Sequence, residues 1–311
     1  RLGLKTDKML GLKEKQGAAA IGQSSLMRSY EDIFDDLGYK VAQVLLTHDD
    51  LSNRNRYLNV CNTILTLLDW NIIPIINEND TVSVEELRFG DNDTLGALIT
   101  NLIEADLFIC LTDVAGLYTG NPIEDSGAKP VYTVAKIDKK IKAMAGNVVG
   151  ALGTGGMQSK IQAAHMVSAR GGSSFIGSGR EKNILHKLFA NKAVGTFFLP
   201  QTEKMQSRKH WIAYVLRPKG SLVLDQGACR AVVKGGKSLL PSGILEVVGN
   251  FKVGDPVQCL DAKGKAIASG LSNYKADDLN KIKGLKSQMI EEILGFKDSD
   301  EVIHRDNLVL L

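Results

Sequence analysis

The stretch Ile72-Ile73-Pro74-Ile75-Ile76-Asn77-Glu78-Asn79-Asp80 passes from unbroken apolar side chains into a cluster of carboxylates and amides. A second cluster, Asp91-Asn92-Asp93, follows Gly90 and opens an apolar-periodic segment reaching from Leu95 to Ile103. Either cluster alone reads as turn chemistry, which Asn and Asp serve well. One ends a strand-like run and the other begins a helix-like one. Together they predict a polar pocket at the carboxyl edge of a parallel sheet, where open α/β sheets bind their ligands.

Working outward, strand-like and helix-like segments alternate as far as Pro200. Residues 41–47, 72–77, 107–112, 174–176 and 196–199 read as strands, and 54–70, 93–104 and 157–169 as helices. Tyr57, Leu58, Cys61, Ile64, Leu65 and Leu68 share one face of the first helix at helical spacing. Such alternation predicts an α/β fold, a mainly parallel sheet sandwiched by helices. After Pro200 the texture changes. Residues 202–219 are polar and basic and read as a connector packed through Trp211. Beyond it, residues 221–224, 244–248, 257–260 and 302–311 read as short strands between Gly-containing turns, a small mixed β-barrel. The expected domains are 1–200, a linker at 201–219, and 220–311.

At 311 residues the chain is long enough for two cores, and its net charge of +3 is too small to imply a nucleic-acid or membrane partner. The four cysteines lack a CxxC pair and the five histidines are dispersed, so no zinc or histidine-triad site is expected. Cys61 and Cys110 read as small buried hydrophobes, and a reducing, cytoplasmic setting fits best. No apolar run has the length of a membrane span.

Gly153-Thr154-Gly155-Gly156-Met157-Gln158-Ser159-Lys160 is a glycine-rich loop running into a helix. Backbone N–H groups of such a loop approach an anion closely, and the helix N-terminus adds favourable charge. Lys160 lies one turn in, within reach of a phosphate, although the spacing is not that of a P-loop. A solvated surface loop is the competing reading. Asp93 by itself reads as an N-cap; its sharper role is to orient cationic groups around a transferring phosphoryl group. Asn77, Asp80 and Asn92 suit a small amino acid, because Asp accepts from an ammonium and Asn can donate to a carboxylate. Thr112 and Asp113, with Gly116 to Thr119, follow the third strand at the same edge, a position suited to a nucleotide's ribose or base.

These motifs together resemble the amino-acid kinase family, and within it the branch that phosphorylates glutamate in bacterial proline synthesis. The matching text is RNRYLN (54–59), IINENDTV (75–82), FGDNDT (89–94), LTDVAGLYT (111–119), GTGGMQSK (153–160) and IGSGR (176–180), in the family's order and spacing. The resemblance implies that Asp80 and Asn92 bind L-glutamate with Asn77 nearby, and that Thr112 and Asp113 contact ATP. It implies that Thr154 to Lys160 surround the phosphates, with Mg²⁺ accompanying ATP, and that Asp93 holds the catalytic lysines, of which Lys160 is one. The implied reaction converts the γ-carboxylate of glutamate to γ-glutamyl phosphate. Feedback inhibition by proline and a homo-oligomer are implied too.

The second domain resembles a PUA module, which binds RNA in other proteins; its balanced charges and lack of a basic, aromatic stripe make that role weak here. The alternatives are an RNA-binding or regulatory protein acting through that domain, and a family member with a different acceptor. Two departures stand out. Asn121-Pro122 replaces the family's Asp-Pro. Arg1 to Gly3 matches a point inside the family's fold, so roughly fifty to sixty residues are expected ahead of it, about a third of a typical domain. They would include a lysine loop and a serine turn.

Overall fold

In a computed structural model the chain divides into two units, Arg1–Lys204 and Met205–Leu311. The structure describes residues 11–82, 91–122, 124–145, 156–201 and 205–311. The first unit runs α1 (Leu12–Asp36), β1 (Lys40–Leu46), α2 (His48–Ser52), α3 (Arg54–Asp69), β2 (Ile72–Glu78), α4 (Asn92–Leu102) and β3 (Leu107–Thr112). It continues with β4 (Thr133–Val134), α5 (Lys139–Met144), α6 (Met157–Ala169), β5 (Ser173–Ser178), α7 (Ile184–Phe189) and β6 (Thr196–Phe198).

Parallel pairing dominates, as expected for strands linked by helices. β1 pairs with β2 from Lys40 opposite Ile72 to Leu46 opposite Glu78. β3 pairs with β5 from Leu107 opposite Ser173 to Thr112 opposite Ser178, and β4 with β6. The exception is antiparallel β5–β6. β1 and β2 form one sheet and β3-β5-β6-β4 another, not the single sheet expected; Asn77–Asp80 close β2, Asp91–Asp93 open α4, and Thr112-Asp113 close β3.

Two helices decide what meets there. α4 is buried along most of its length, through Leu95, Ala97, Leu98, Ile99 and Leu102, and packs on α6, whose Ala163 and Ala164 are fully buried. Small side chains let the helices approach closely, and Asn101 Nδ2 donates to the Met166 carbonyl at 3.2 Å across the contact. Gly96 is required on the sheet side, since a Cβ there would lie 2.8 Å from the Phe108 ring of β3. Both helices therefore begin over the same end of β3 and β5.

The cap of α4 corrects the sequence reading by two residues. Asp91 is the N-cap, its Oδ1 accepting from the Thr94 N–H at 2.7 Å, which leaves Asp93 inside the first turn with its carboxylate uncommitted to capping. Residues 12–36, which no sequence pattern assigned, form α1, a helix with no buried side chain. Among the described residues no helix is long and apolar enough to cross a membrane.

The second unit runs α8 (Ser207–His210), a π-helical turn at Trp211–Val215, β7 (Gly220–Leu224), α9 (Gln226–Val233), β8 (Ile244–Gly249), β9 (Pro256–Leu260), β10 (Ala266–Leu271), α10 (Ala276–Ile282), α11 (Ile290–Leu294) and β11 (Leu308–Leu310). The stretch read as a connector thus holds helical turns, and His210, Ile212 and Val215, not Trp211, are its buried residues among those described. The strands form a mixed sheet in the order β11-β10-β9-β7-β8 around a core that includes Leu222, Leu224, Phe251, Tyr274 and Ile303. The expected strand over 302–311 is cut short. His304 Nδ1 accepts from the Asp306 N–H and turns the chain through Arg305–Asn307, so only Leu308–Leu310 pairs with β10.

Gly195 carries the turn into β6 at φ +57°, and a Cβ there would lie 2.4 Å from the Phe175 ring and 2.6 Å from the Ile176 carbonyl. Gly195→Ala combines left-handed strain with overpacking and is expected to cost about 2–4 kcal/mol. A urea titration reads this as a lowered midpoint; an unchanged midpoint would contradict the packing of β6 on β5.

Candidate functional site

An ion pair joins the first turns of α4 and α6. Lys160 Nζ donates to Asp93 Oδ2 at 2.9 Å, with the two side chains only 10% and 15% exposed. Ser159 Oγ lies 2.9 Å from the same oxygen and 2.8 Å from the Gly156 carbonyl, so its single proton serves one or the other. Cys110 of β3 donates its S–H to Asp93 Oδ1 at 3.2 Å. Burial, and then the adjacent Asp93 carboxylate, push that thiol up to about 12, so it is protonated and a donor at neutral pH.

Burial is the largest single influence on Lys160 and pulls its pKa down. The hydrogen bond and charge of Asp93, with smaller help from Cys110 and Asp91, outweigh it and leave Lys160 above its ordinary 10.5. The ammonium is therefore fully charged at neutral pH, in a place where desolvation alone would favour the neutral amine.

Asn77 and Asn92, the latter adjacent in sequence to Asp93, line a cavity of about 180 Å³. They share it with Gln23, Tyr30 and Gln43, residues that the sequence reading missed. Gln23 and Tyr30 lie on α1, which the sequence pattern did not assign, and Gln43 lies on β1 as a lone polar residue in the apolar run 41–46. Asp80 is not among the lining residues. It lies just past β2, in a turn where Asn79 Oδ1 accepts from Thr81 Oγ1.

At the end of β3, the Thr112 carbonyl accepts from the Gly179 N–H at 2.7 Å and Thr112 Oγ1 donates to Asp113 Oδ1 at 3.1 Å. The loop beyond them lines a cavity of about 230 Å³ with Gly116, Tyr118, Tyr132 and Glu181 among its walls. Met157, Gln158 and Ser159 form the first turn of α6, and its N-cap, Gly156, supplies no side-chain cap. Thr154 and Gly155 lie outside the described residues. Among the described residues no group of three or more His, Cys, Asp or Glu is placed to hold a metal ion.

Removing one partner of the pair leaves a charge that burial disfavours. Asp93→Asn is expected to cost about 3 kcal/mol, the low end for a broken buried pair because some exposure remains. Lys160 holds its proton more tightly folded than unfolded, so the pair's contribution is whole below pH 10.5 and is lost as pH rises through the higher folded value. Urea titrations across that range should show the native chain losing this increment while Asp93→Asn has none to lose. Parallel alkaline profiles would overturn the linkage.

The Amino acid kinase family profile matches residues 2–178, and the PUA domain profile matches residues 220–294. A glutamate 5-kinase of Desulfotalea psychrophila is 60% identical over 302 residues, covering 97% of this chain and 80% of that protein. A glutamate 5-kinase of Syntrophus aciditrophicus is 50% identical over 311 residues, covering 100% of this chain and 80% of its own length. One from Methylococcus capsulatus is 49% identical, covering 100% of this chain and 83% of its own length. Matches of this extent cover both units, and the chain belongs to the amino acid kinase family, in its glutamate 5-kinase branch, with a PUA domain following the kinase domain.

Proposed function

We propose that the chain catalyses transfer of the γ-phosphoryl group of ATP to the γ-carboxylate of L-glutamate, yielding γ-glutamyl phosphate and ADP, the entry reaction of proline synthesis. The observation that carries this reading is the Lys160–Asp93 pair at the joint start of α4 and α6. The chain itself links it to both cavities. Asn92, beside Asp93, lines one; Thr112, two residues past Cys110, leads to the loop of the other.

The acceptor carboxylate is ionised at neutral pH, so the transfer needs no strong base. One of its oxygens bonds to the γ-phosphorus as the bond to the bridging oxygen breaks, and ADP leaves with the electron pair. The protein's part is alignment and charge cancellation. Lys160 presents a fixed positive charge to the phosphoryl oxygens, held by Asp93 while it does so. The uncapped N–H groups of α6 add donors for the phosphates. Asn77 and Asn92 have amide groups suited to the amino acid, and Asp80 suits its ammonium. Thr112, Asp113 and the cavity beyond them suit the nucleoside. Mg²⁺, which keeps several waters and binds substrate phosphates readily, would arrive with the nucleotide and offset phosphate charge.

We assign the kinase domain to residues 1–200 and the PUA domain to 220–311, with 201–219 between them. The latter contains a cleft of about 710 Å³ whose walls mix Lys237, His304 and Arg305 with Asp225 and Glu301. Balanced charge of this kind gives little grip on a phosphate backbone, so RNA affinity at physiological salt is expected to be absent. Inhibition by proline and assembly into a homo-oligomer are supported by kinship with the glutamate 5-kinase branch alone.

Coupled detection of ADP with Mg-ATP should show release that depends on glutamate. Preferential use of aspartate, acetylglutamate or UMP would overturn the substrate while leaving the family intact. Lys160→Ala should lower kcat by about 10²–10³-fold, the range for losing a preorganised charge at a transition state; near-normal turnover would remove Lys160 from the mechanism. Asn92→Ala should raise the KM for glutamate more than that for ATP.

A further inference from the structure

We propose that Cys110 is a positioning residue for the transfer step, its thiol fixing the plane of the Asp93 carboxylate that holds Lys160. The proposal rests on the phosphoryl-transfer reading of the site.

A carboxylate turns easily about its terminal bond, whose torsion is broad and roughly two-fold. Lys160 and Ser159 both act on Oδ2, and a lysine on four rotatable bonds constrains that plane poorly. Oδ1 accepts from Cys110, and among the described residues nothing else donates to it. Cys110 is itself immobile. Its backbone pairs with Ile176 of β5 and its side chain is 7% exposed in the core below the site. The Asp93 plane is thus referenced to the most rigid element nearby rather than to the two residues of α6 that it serves.

Strand geometry adds a second role. Side chains alternate along β3, so Cys110 and Thr112 project from the same face. The element that leads into the nucleoside-side loop therefore also sets the carboxylate that aims Lys160. A shift of β3 along its axis would move both together.

Cys110→Val keeps an apolar, strand-compatible side chain and removes the donor. Cys110→Ser keeps a donor in nearly the same place. With native, Val and Ser proteins assayed for glutamate-dependent ADP release, Val should lose about tenfold in kcat, a modest loss because S–H is a weak donor. Its KM for glutamate and for ATP should stay within about twofold, since the binding groups are untouched. Ser should recover most of the loss.

A difference infrared spectrum, native minus Cys110→Val, isolates the S–H stretch of Cys110. That band should lie at lower frequency than those of the other thiols and move up in Asp93→Asn. Melting temperatures of the Val and Ser proteins separate this role from packing, because a packing defect would track stability and not the donor. Full turnover in Cys110→Val, equal losses in Val and Ser, or an S–H band indifferent to Asp93→Asn would each overturn the proposal while leaving the kinase reading in place. A native protein that releases no ADP with glutamate overturns the kinase reading and this proposal with it.

Discussion

The ion pair between Asp93 and Lys160 is the constraint around which the first unit is arranged. Burial disfavours the Lys160 charge, and the Asp93 carboxylate beside it is what keeps that charge. The helix field treats the two unequally. Asp93 in the first turn of α4 is favoured by the positive end of its helix, whereas Lys160 in the first turn of α6 opposes its own. A lysine placed against both desolvation and helix dipole contributes little to stability that a neutral residue would not. Its retention makes sense as a charge held ready for a ligand, with Asp93 keeping it in place meanwhile.

Meeting this constraint determines the packing beneath. The pair requires the starts of α4 and α6 to lie side by side, which requires the helices to approach closely. Ala163 and Ala164 allow that, Gly96 admits the Phe108 ring, and the Asn101 bond to the Met166 carbonyl sets the register of the two helices. The second unit has its own core around Leu222, Phe251 and Tyr274 and is stable on different contacts. Its cleft and the ion pair belong to separate chemistries.

What could be read from the sequence follows from how local each signal is. β2 and β3 are legible because their apolar runs are continuous and bounded by polar turns. α6 is legible because a glycine-rich segment precedes a long periodic one. The pairing of Asp93 with Lys160 is legible only through the family pattern, since the residues stand 67 positions apart. Other features are set by contacts that leave no local trace. Asp91 and Asp93 are both plausible caps, and only the backbone geometry at Asp91 selects between them. Cys110 has the composition of a core residue, and only Asp93 makes it a donor. Gln23 and Gln43 reach the Asn77 cavity from α1 and β1, and α1 has no apolar face buried deeply enough to announce it.

Asp93 is also a knot. Its carboxylate is held by α6 and by β3 while its backbone belongs to α4. Three elements, consecutive α4 and β3 and the sequence-distant α6, are tied at one point near their ends, so fraying of one there breaks contacts of the others. In native-state hydrogen exchange, the amides around these three contacts are expected to be protected together rather than singly. α1, without a single buried side chain, stands at the opposite extreme and is expected to exchange by local opening.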